Sequence, residues 1–259
     1  LERTVSAADA SLTPPETGVP LLDGMPRQRT APPSVASPAA LPVRWTAPRL
    51  VSLLPSPGRA PFSFGYAAVL LVTSLFAQFA DPSLVNALYQ ASSTDVAHLM
   101  RSPVVVLLAS ALWIAGGMMS YYTLVFLVVL TALERRIGGA RTAVVFLSGH
   151  VLATLGTEVP VGLAVLAGHL PDSSLHRLDY GISFGVAASL GALTGLLRPW
   201  LRSIVLIVFS ALLLQDLAEF TDPLSNWGHL LALAVGIATW PLVRRWARTG
   251  AEVTPAPAR

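Results

Sequence analysis

The 259-residue chain contains no cysteine and no lysine, and only 12% of its residues are charged. The absence of cysteine excludes disulfides, thiolate metal sites and a thiol nucleophile. The absence of lysine leaves arginine as all 17 basic residues. These are scattered at segment ends rather than gathered on one face, so the net charge of +3 does not mark a nucleic-acid surface. The charged fraction is about half that of a soluble domain, which carries roughly 25%. With 53% apolar residues and a mean hydropathy of +0.63, the chain has too little polar side chain to clothe a water-soluble globule. It reads as an all-α, polytopic membrane protein. Five scattered histidines form no His-x-x-x-His or Glu-x-x-His pair, so neither a metal site nor a cofactor is expected.

Residues 1–62 hold 12 of the 21 prolines, many Ala, Ser and Thr, and no apolar run long enough to cross a bilayer. Such a segment cannot bury enough surface to offset its ordering entropy and reads as a disordered tail; it lacks the layout of a secretory signal. Residues 247–259 read as a second, short tail. Between them, in a domain over residues 63–246, charges act as fence posts. They enclose uncharged runs of 21 residues between Arg59 and Asp81, 32 between Arg101 and Glu134, and 16 between Arg141 and Glu158. Further runs of 18, 13 and 21 lie between Asp179 and Arg198, Arg202 and Asp216, and Asp222 and Arg244. A helix needs about 20 apolar residues to cross the hydrocarbon, and shorter runs reach it when flanking charges snorkel. The pattern predicts six spans, near 64–80, 112–133, 142–159, 181–197, 201–219 and 225–243. The second run exceeds one crossing by about ten residues. Residues 102–112 are therefore expected in the outer leaflet, either helical or buried in protein.

Arginine counting sets the orientation. With the N-terminal tail inside, the inner loops hold Arg135, Arg136, Arg141, Arg198 and Arg202, and the C-terminal tail opens with Arg244, Arg245 and Arg248. The outer loops hold only Arg101 and Arg177, and they collect Asp81, Asp95, Glu158, Asp172, Asp179, Asp216, Glu219 and Asp222. Both termini are expected on the cytoplasmic side of the cell membrane.

Polar groups inside hydrocarbon are costly and mark function unless a partner satisfies them. Three places stand out: Asp179 to Gly185 opening the fourth span, Asn226 to His229 opening the sixth, and Gly149-His150 within the third. Ser183 and His229 enter from the same side at depths that differ by only about 3 Å at 1.5 Å per residue. On neighbouring helices, such a pair can act as nucleophile and general base. Gly181, Gly185 and Ser189 recur at intervals of four on the fourth span, and Ala232 and Gly236 follow His229 at i+3 and i+7. Small residues at this spacing let membrane helices pack closely, which makes the fourth span the expected central helix. The same stripes also serve packing alone, and a membrane-helix serine also bonds the carbonyl one turn back. For His150, a bond to a backbone carbonyl or to Thr154 suffices.

These residues resemble the rhomboid family of intramembrane serine proteases. Gly181-Ile182-Ser183 resembles its fourth-helix Gly-x-Ser, and His229 to Gly236 resembles its sixth-helix histidine followed by small residues. Leu133-Glu134-Arg135-Arg136-Ile137-Gly138 resembles its Leu-Glu-x-x-x-Gly turn after helix two, with Gly116-Gly117 at the helix-two entry. The resemblance covers roughly residues 64–243 and implies a six-helix bundle with Ser183 and His229 catalytic. It also implies backbone N–H groups at the start of the fourth span, Gly181 among the supporting residues, for the oxyanion. The family's His-x-x-x-Asn on helix two is absent: counting from Glu134 puts Met118 and Tyr122 there, and counting from the glycine pair puts Ser120 and Leu124. Ser120, Tyr121 or Tyr122 is then the candidate substitute hydroxyl. Phe184 also stands where the family has glycine directly after its serine, with Gly185 one place later.

The functional expectation is an endopeptidase cutting single-span membrane proteins near the outer face, with their transmembrane segments and the bilayer as partners and no nucleic acid. The alternative is a catalytically inactive rhomboid-fold protein that binds or escorts membrane helices. A transporter is disfavoured because no repeat relates residues 64–160 to 161–243 and every acidic residue sits at a span end.

Overall fold

In the computed structural model, residues 56–117 and 119–252 are described, and their regular structure is helical, with no strand. Five helices open on a proline, where the missing N–H costs nothing: α1 (Pro61–Phe79), α2 (Pro82–Ala91), α4 (Pro103–Ser110), α8 (Pro199–Glu219) and α9 (Pro223–Ala238). The others are α3 (Val96–Arg101), α5 (Tyr121–Ile137), α6 (Gly139–Leu166), α7 (Ser183–Thr194) and α10 (Trp240–Glu252). Asp81, Asp95, Ser120 and Asp222 cap α2, α3, α5 and α9, each side chain accepting a first-turn backbone N–H. The acidic residues that read as outer fence posts thus also start helices.

Three helices, α1, α6 and α8, are long and apolar enough to cross a membrane, and α9 with α10 makes a fourth if the pair, bent by 47°, counts as one. Several boundaries differ from those the apolar runs predict. The expected tail over 1–62 lies outside the described residues up to residue 55, but Pro57–Arg59 forms a 3-10 turn and α1 already begins at Pro61. The second span starts at Tyr121 rather than near 112, because Gly116 and Gly117 both adopt positive φ (79° and 72°) and turn the chain before the Ser120 cap. Residues 103–110 are helical, which satisfies the backbone demand of an outer-leaflet segment. Helix α7, at the expected fourth span, has only 12 residues, and the expected sixth span is bent between α9 and α10. The expected second tail is helical as far as Glu252, because Val243 is fully buried, Trp246 and Ala247 pack against the core, and Arg141 Nη1 donates to the Trp246 carbonyl at 3.1 Å.

Helix α7 is the centre. Every residue from Phe184 to Thr194 is buried, and α7 packs most extensively on α9, then on α6 and α5. Glycine makes the α7–α9 contact possible. A Cβ on Gly236 would overlap the Ala188 carbonyl, and one on Gly191 would sit 2.5 Å from the Leu233 oxygen. Gly149 of α6 lies equally close to Ala188, and Gly185 lies against the Phe146 ring. Ala232, also on the contact, is fully buried.

Glu134 ties α1 to α5. Its Oε1 accepts from the Phe62 N–H at 2.9 Å, and its Oε2 accepts from the Ser63 N–H and hydroxyl, both at 2.7 Å. The carboxylate therefore caps α1 from a distance of 71 residues in sequence, while Gly138 (φ 87°) closes α5 and begins α6. The stretch Leu133 to Gly138 is thus a structural joint. Glu134→Gln puts an N–H₂ donor against backbone donors, and the orphaned group costs about 1–3 kcal/mol. We expect a lower unfolding temperature in detergent; an unchanged one would remove Glu134 from this role.

The opposite end of α7 is capped by arginines. Arg202 Nε donates to the Thr194 carbonyl at 3.0 Å and its Nη2 to Leu197 at 3.1 Å. Arg244 Nε donates to Gly195 at 3.0 Å, and Trp240 Nε1 to Gly191 at 2.8 Å. Both guanidiniums lie over the Trp240 ring, at 5.0 and 5.1 Å. Cations at the C-terminal end of a helix also complement its dipole.

Candidate active site

Ser183 is the first residue of α7, and the strap before it is held from both sides. The Gly181 N–H donates to the Ser110 carbonyl at 3.0 Å and the Ile182 N–H to the Trp113 carbonyl at 3.2 Å. Gly181 has φ 127°, a conformation L side chains rarely adopt, although a Cβ there would meet Ala115 only in ordinary contact. Residues 110–113 are anchored in turn: Tyr66 Oη donates to the Ala111 carbonyl, Thr73 Oγ1 to Leu112 and Trp113 Nε1 to Ser92 Oγ. The strap therefore needs glycine at 181, and Ser183 emerges at a set place.

Ser183 and His229 line one cavity of about 420 Å³, together with Ser120, Tyr122, Asp179 and Asn226. Ser183 is half-buried and its hydroxyl has no hydrogen-bond partner among the described residues. His229, 7% exposed, has no partner at Nδ1. No hydrogen bond joins the two side chains. Instead, Tyr122 Oη lies 3.4 Å from His229 Nε2, with the rings stacked at 5.6 Å and 20°. Phe184 meets the imidazole edge-on at 5.1 Å, and its ring fills the space beside Gly228 where a Cβ would clash. The phenylalanine after the serine thus packs the imidazole in place.

Of the three candidate hydroxyls, Tyr122 reaches the histidine. Ser120 lines the cavity while its Oγ accepts the Tyr122 N–H at 3.3 Å as the α5 cap. Nothing is described of the Tyr121 side chain; Met118 is outside the described residues, and Leu124 is 69% exposed. Gly185, Ala232 and Gly236 lie in helix contacts rather than in the cavity lining.

The first turn of α7 closes with the Val186 N–H on the Ile182 carbonyl at 3.0 Å. The N–H groups of Ser183, Phe184 and Gly185 have no acceptor among the described residues. Three free donors at a helix start favour developing negative charge next to the hydroxyl.

An ionic cluster closes the rim. Arg177 donates to Glu158 Oε1 at 2.5 Å and to Ser225 Oγ at 3.2 Å, and it stands 3.6 Å from both Asp179 and Asp222. Burial raises the Asp179 carboxyl above its ordinary range, against the opposing pull of Arg177 and the Thr94 hydroxyl. Sequence reasoning gave Arg177 no role. The signal was there: Glu158, at the end of an apolar run, needs a cation, and the loops expected on its side offer only Arg101 and Arg177. His150 is settled similarly: its Nε2 lies 3.0 Å from Ser110 Oγ and 3.1 Å from the Leu107 carbonyl, and Thr154 Oγ1 has no hydrogen-bond partner.

The rhomboid-like protein family matches residues 58–249 of the chain. No curated protein and no solved structure matches it. The family match runs from the turn before α1 through the arginines of α10, and so takes in the strap, the cavity and the buried central helix together. On that extent, the chain belongs to the rhomboid-like protein family and is a multi-pass helical membrane protein.

Proposed function

We propose that this protein is an intramembrane serine endopeptidase in which Ser183 is the nucleophile and His229 the general base. The shared cavity carries the reading: a hydroxyl without a partner, an imidazole with a free nitrogen and three unused backbone donors meet on α7 and α9, two closely packed helices. Substrate entry brings the Ser183 hydroxyl and a His229 ring nitrogen into hydrogen-bond contact. A ring nitrogen then takes the hydroxyl proton as Oγ bonds to the substrate carbonyl carbon, and the α7 N–H groups hold the oxyanion. The imidazolium gives its proton to the leaving amine nitrogen as the C–N bond breaks. Water repeats the sequence on the acyl-enzyme and frees Ser183.

Six crossings fit this reading, formed by α1, α5, α6, α7, α8 and the bent α9–α10 pair. At 12 residues α7 is about 18 Å long against a hydrocarbon core near 30 Å, so its start lies below the surface, inside the ring of other helices. The arginine distribution puts both termini in the cytoplasm and the cavity toward the outer face of the cell membrane. The substrate class is then single-span proteins whose helix unwinds near that face. Tyr122, in place of the family's helix-two asparagine by the count from Glu134, holds His229 in position.

The test is covalent labelling by a fluorophosphonate in detergent. Wild-type protein is expected to label, and Ser183→Ala and His229→Ala to lose the label. Tyr122→Phe removes one neutral hydrogen bond and is expected to slow labelling by about fivefold. Equal labelling of wild type and Ser183→Ala would end the reading. Folded wild-type protein that never labels, with His229→Ala still binding a transmembrane helix, would place the chain among non-cleaving members instead.

A further inference from the structure

At the end of the molecule away from the cavity, Pro241, Arg244, Arg245, Arg248 and Thr249 line a hollow of about 540 Å³. Arg245 and Arg248 are exposed, and among the described residues they have no hydrogen-bond or ion-pair partner and no acidic side chain lines the hollow. The acidic residue of the neighbouring α5 end, Glu134, is occupied by the start of α1. Three like charges within two turns of one helix repel each other unless an anion sits among them. The opposite face of α10 is apolar and seated: Val243 is fully buried, with Trp246 and Ala247 against the core. A helix tipped 47° from the span before it, with one apolar and one arginine face and tryptophans at 240 and 246, has the make-up of a segment at the lipid–water boundary.

The geometry points to a binding site for the phosphate of an anionic phospholipid in this hollow, formed by the guanidiniums of Arg244, Arg245 and Arg248. Guanidinium forks match phosphate oxygens two at a time, and basic hollows beside membrane helices take such headgroups. The occupant is a lipid rather than free phosphate because Leu242, which follows the lining Pro241 on the same helix, is 43% exposed and gives an acyl chain apolar surface on α10. Arg244 also donates to the Gly195 carbonyl at the end of α7. A lipid that holds Arg244 therefore steadies the base of the helix that carries Ser183 at its other end. The site does not depend on catalysis by Ser183.

Native mass spectrometry and thermal unfolding of the full chain in detergent, titrated with phosphatidylglycerol or phosphatidylcholine, test this. Phosphatidylglycerol is expected to form adducts and raise the melting temperature, and phosphatidylcholine is not. Each arginine near a charged lipid surface is worth about fivefold, so Arg245→Gln with Arg248→Gln is expected to weaken phosphatidylglycerol binding by about 25-fold. Replacing both by lysine keeps the charge but not the fork and is expected to fall between. Arg136→Gln with Arg198→Gln, which removes the same charge elsewhere on this end, is expected to bind as wild type. The proposal fails if the glutamine pair at 245 and 248 binds unchanged, or if the control pair loses as much. It also fails if inorganic phosphate raises the melting temperature as far as phosphatidylglycerol does, which would make the hollow a free-anion site.

Discussion

Gly236→Leu is expected to leave no monodisperse folded protein. Gly236 lies on α9 against the Ala188 carbonyl of α7, so even one added carbon meets backbone rather than a side chain that can swing aside. Gly191 on α7 makes the reciprocal approach, 2.5 Å from the Leu233 oxygen for a Cβ. Neither helix has room to retreat: α7 is buried on all sides and Gly149 holds α6 to the same Ala188. Overpacking a tight contact costs about 1–3 kcal/mol and more when backbone must move. Gly236→Ala is accordingly expected at about 3 kcal/mol, roughly 6–12 °C in unfolding temperature for a domain of this size. Gly65→Ala is the control. Nothing lies within 4 Å of its Cβ position on exposed α1, so its melting is expected to be unchanged or slightly higher. Wild-type melting for Gly236→Ala would show that the two helices do not meet there.

Arg177→Gln is expected to be the most damaging single change in the segments between helices. Its guanidinium faces three carboxylates, and the Glu158 side chain is 1% exposed. Loss of one partner of a buried pair typically costs about 3–5 kcal/mol because the other charge is stranded. The Arg177 side chain is 26% exposed, so water relieves part of this. We expect a loss near the lower bound, about 3 kcal/mol. Glu158→Gln leaves Arg177 with Asp179 and Asp222 and an amide oxygen to bond, so its loss is expected to be smaller. Adding Glu158→Gln to Arg177→Gln is expected to recover part of the melting temperature, since it removes the stranded charge. Because Arg177 joins the loop before Ser183 to the start of α9 near His229, labelling is expected to fall with it. Equal melting of Arg177→Gln and wild type would show the cluster to be a solvated rim.

Part of the candidate site was legible in the chain. Ser183 and His229, singled out by counting residues past Asp179 and Asp222, line one cavity. The partner of His229 was not legible. Tyr122 was one of three candidate hydroxyls, and only the direction in which α5 faces α9 selects it. The hydrogen bond expected between Ser183 and His229 is absent, since residue spacing sets which cavity the two side chains share and not their separation within it. The bond of His150 to Leu107 is illegible for a similar reason, since α4 and α6 are 43 residues apart at that bond.

The order of amino acids alone pointed to helices in lipid, because charge is sparse and the apolar runs are continuous, as in spanning helices, rather than alternating, as in barrel strands. It also determined most helix starts, since a proline or a capping aspartate acts within three or four residues of itself. Tertiary structure decided where α7 ends, because its caps are the guanidiniums of Arg202 and Arg244, and where α1 begins, because its cap is Glu134. It decided too which small residues matter. Glycine is permissive everywhere, but at Gly236 and Gly191 the backbone of the facing helix, and at Gly149 the Ala188 methyl, occupies the space a side chain would need.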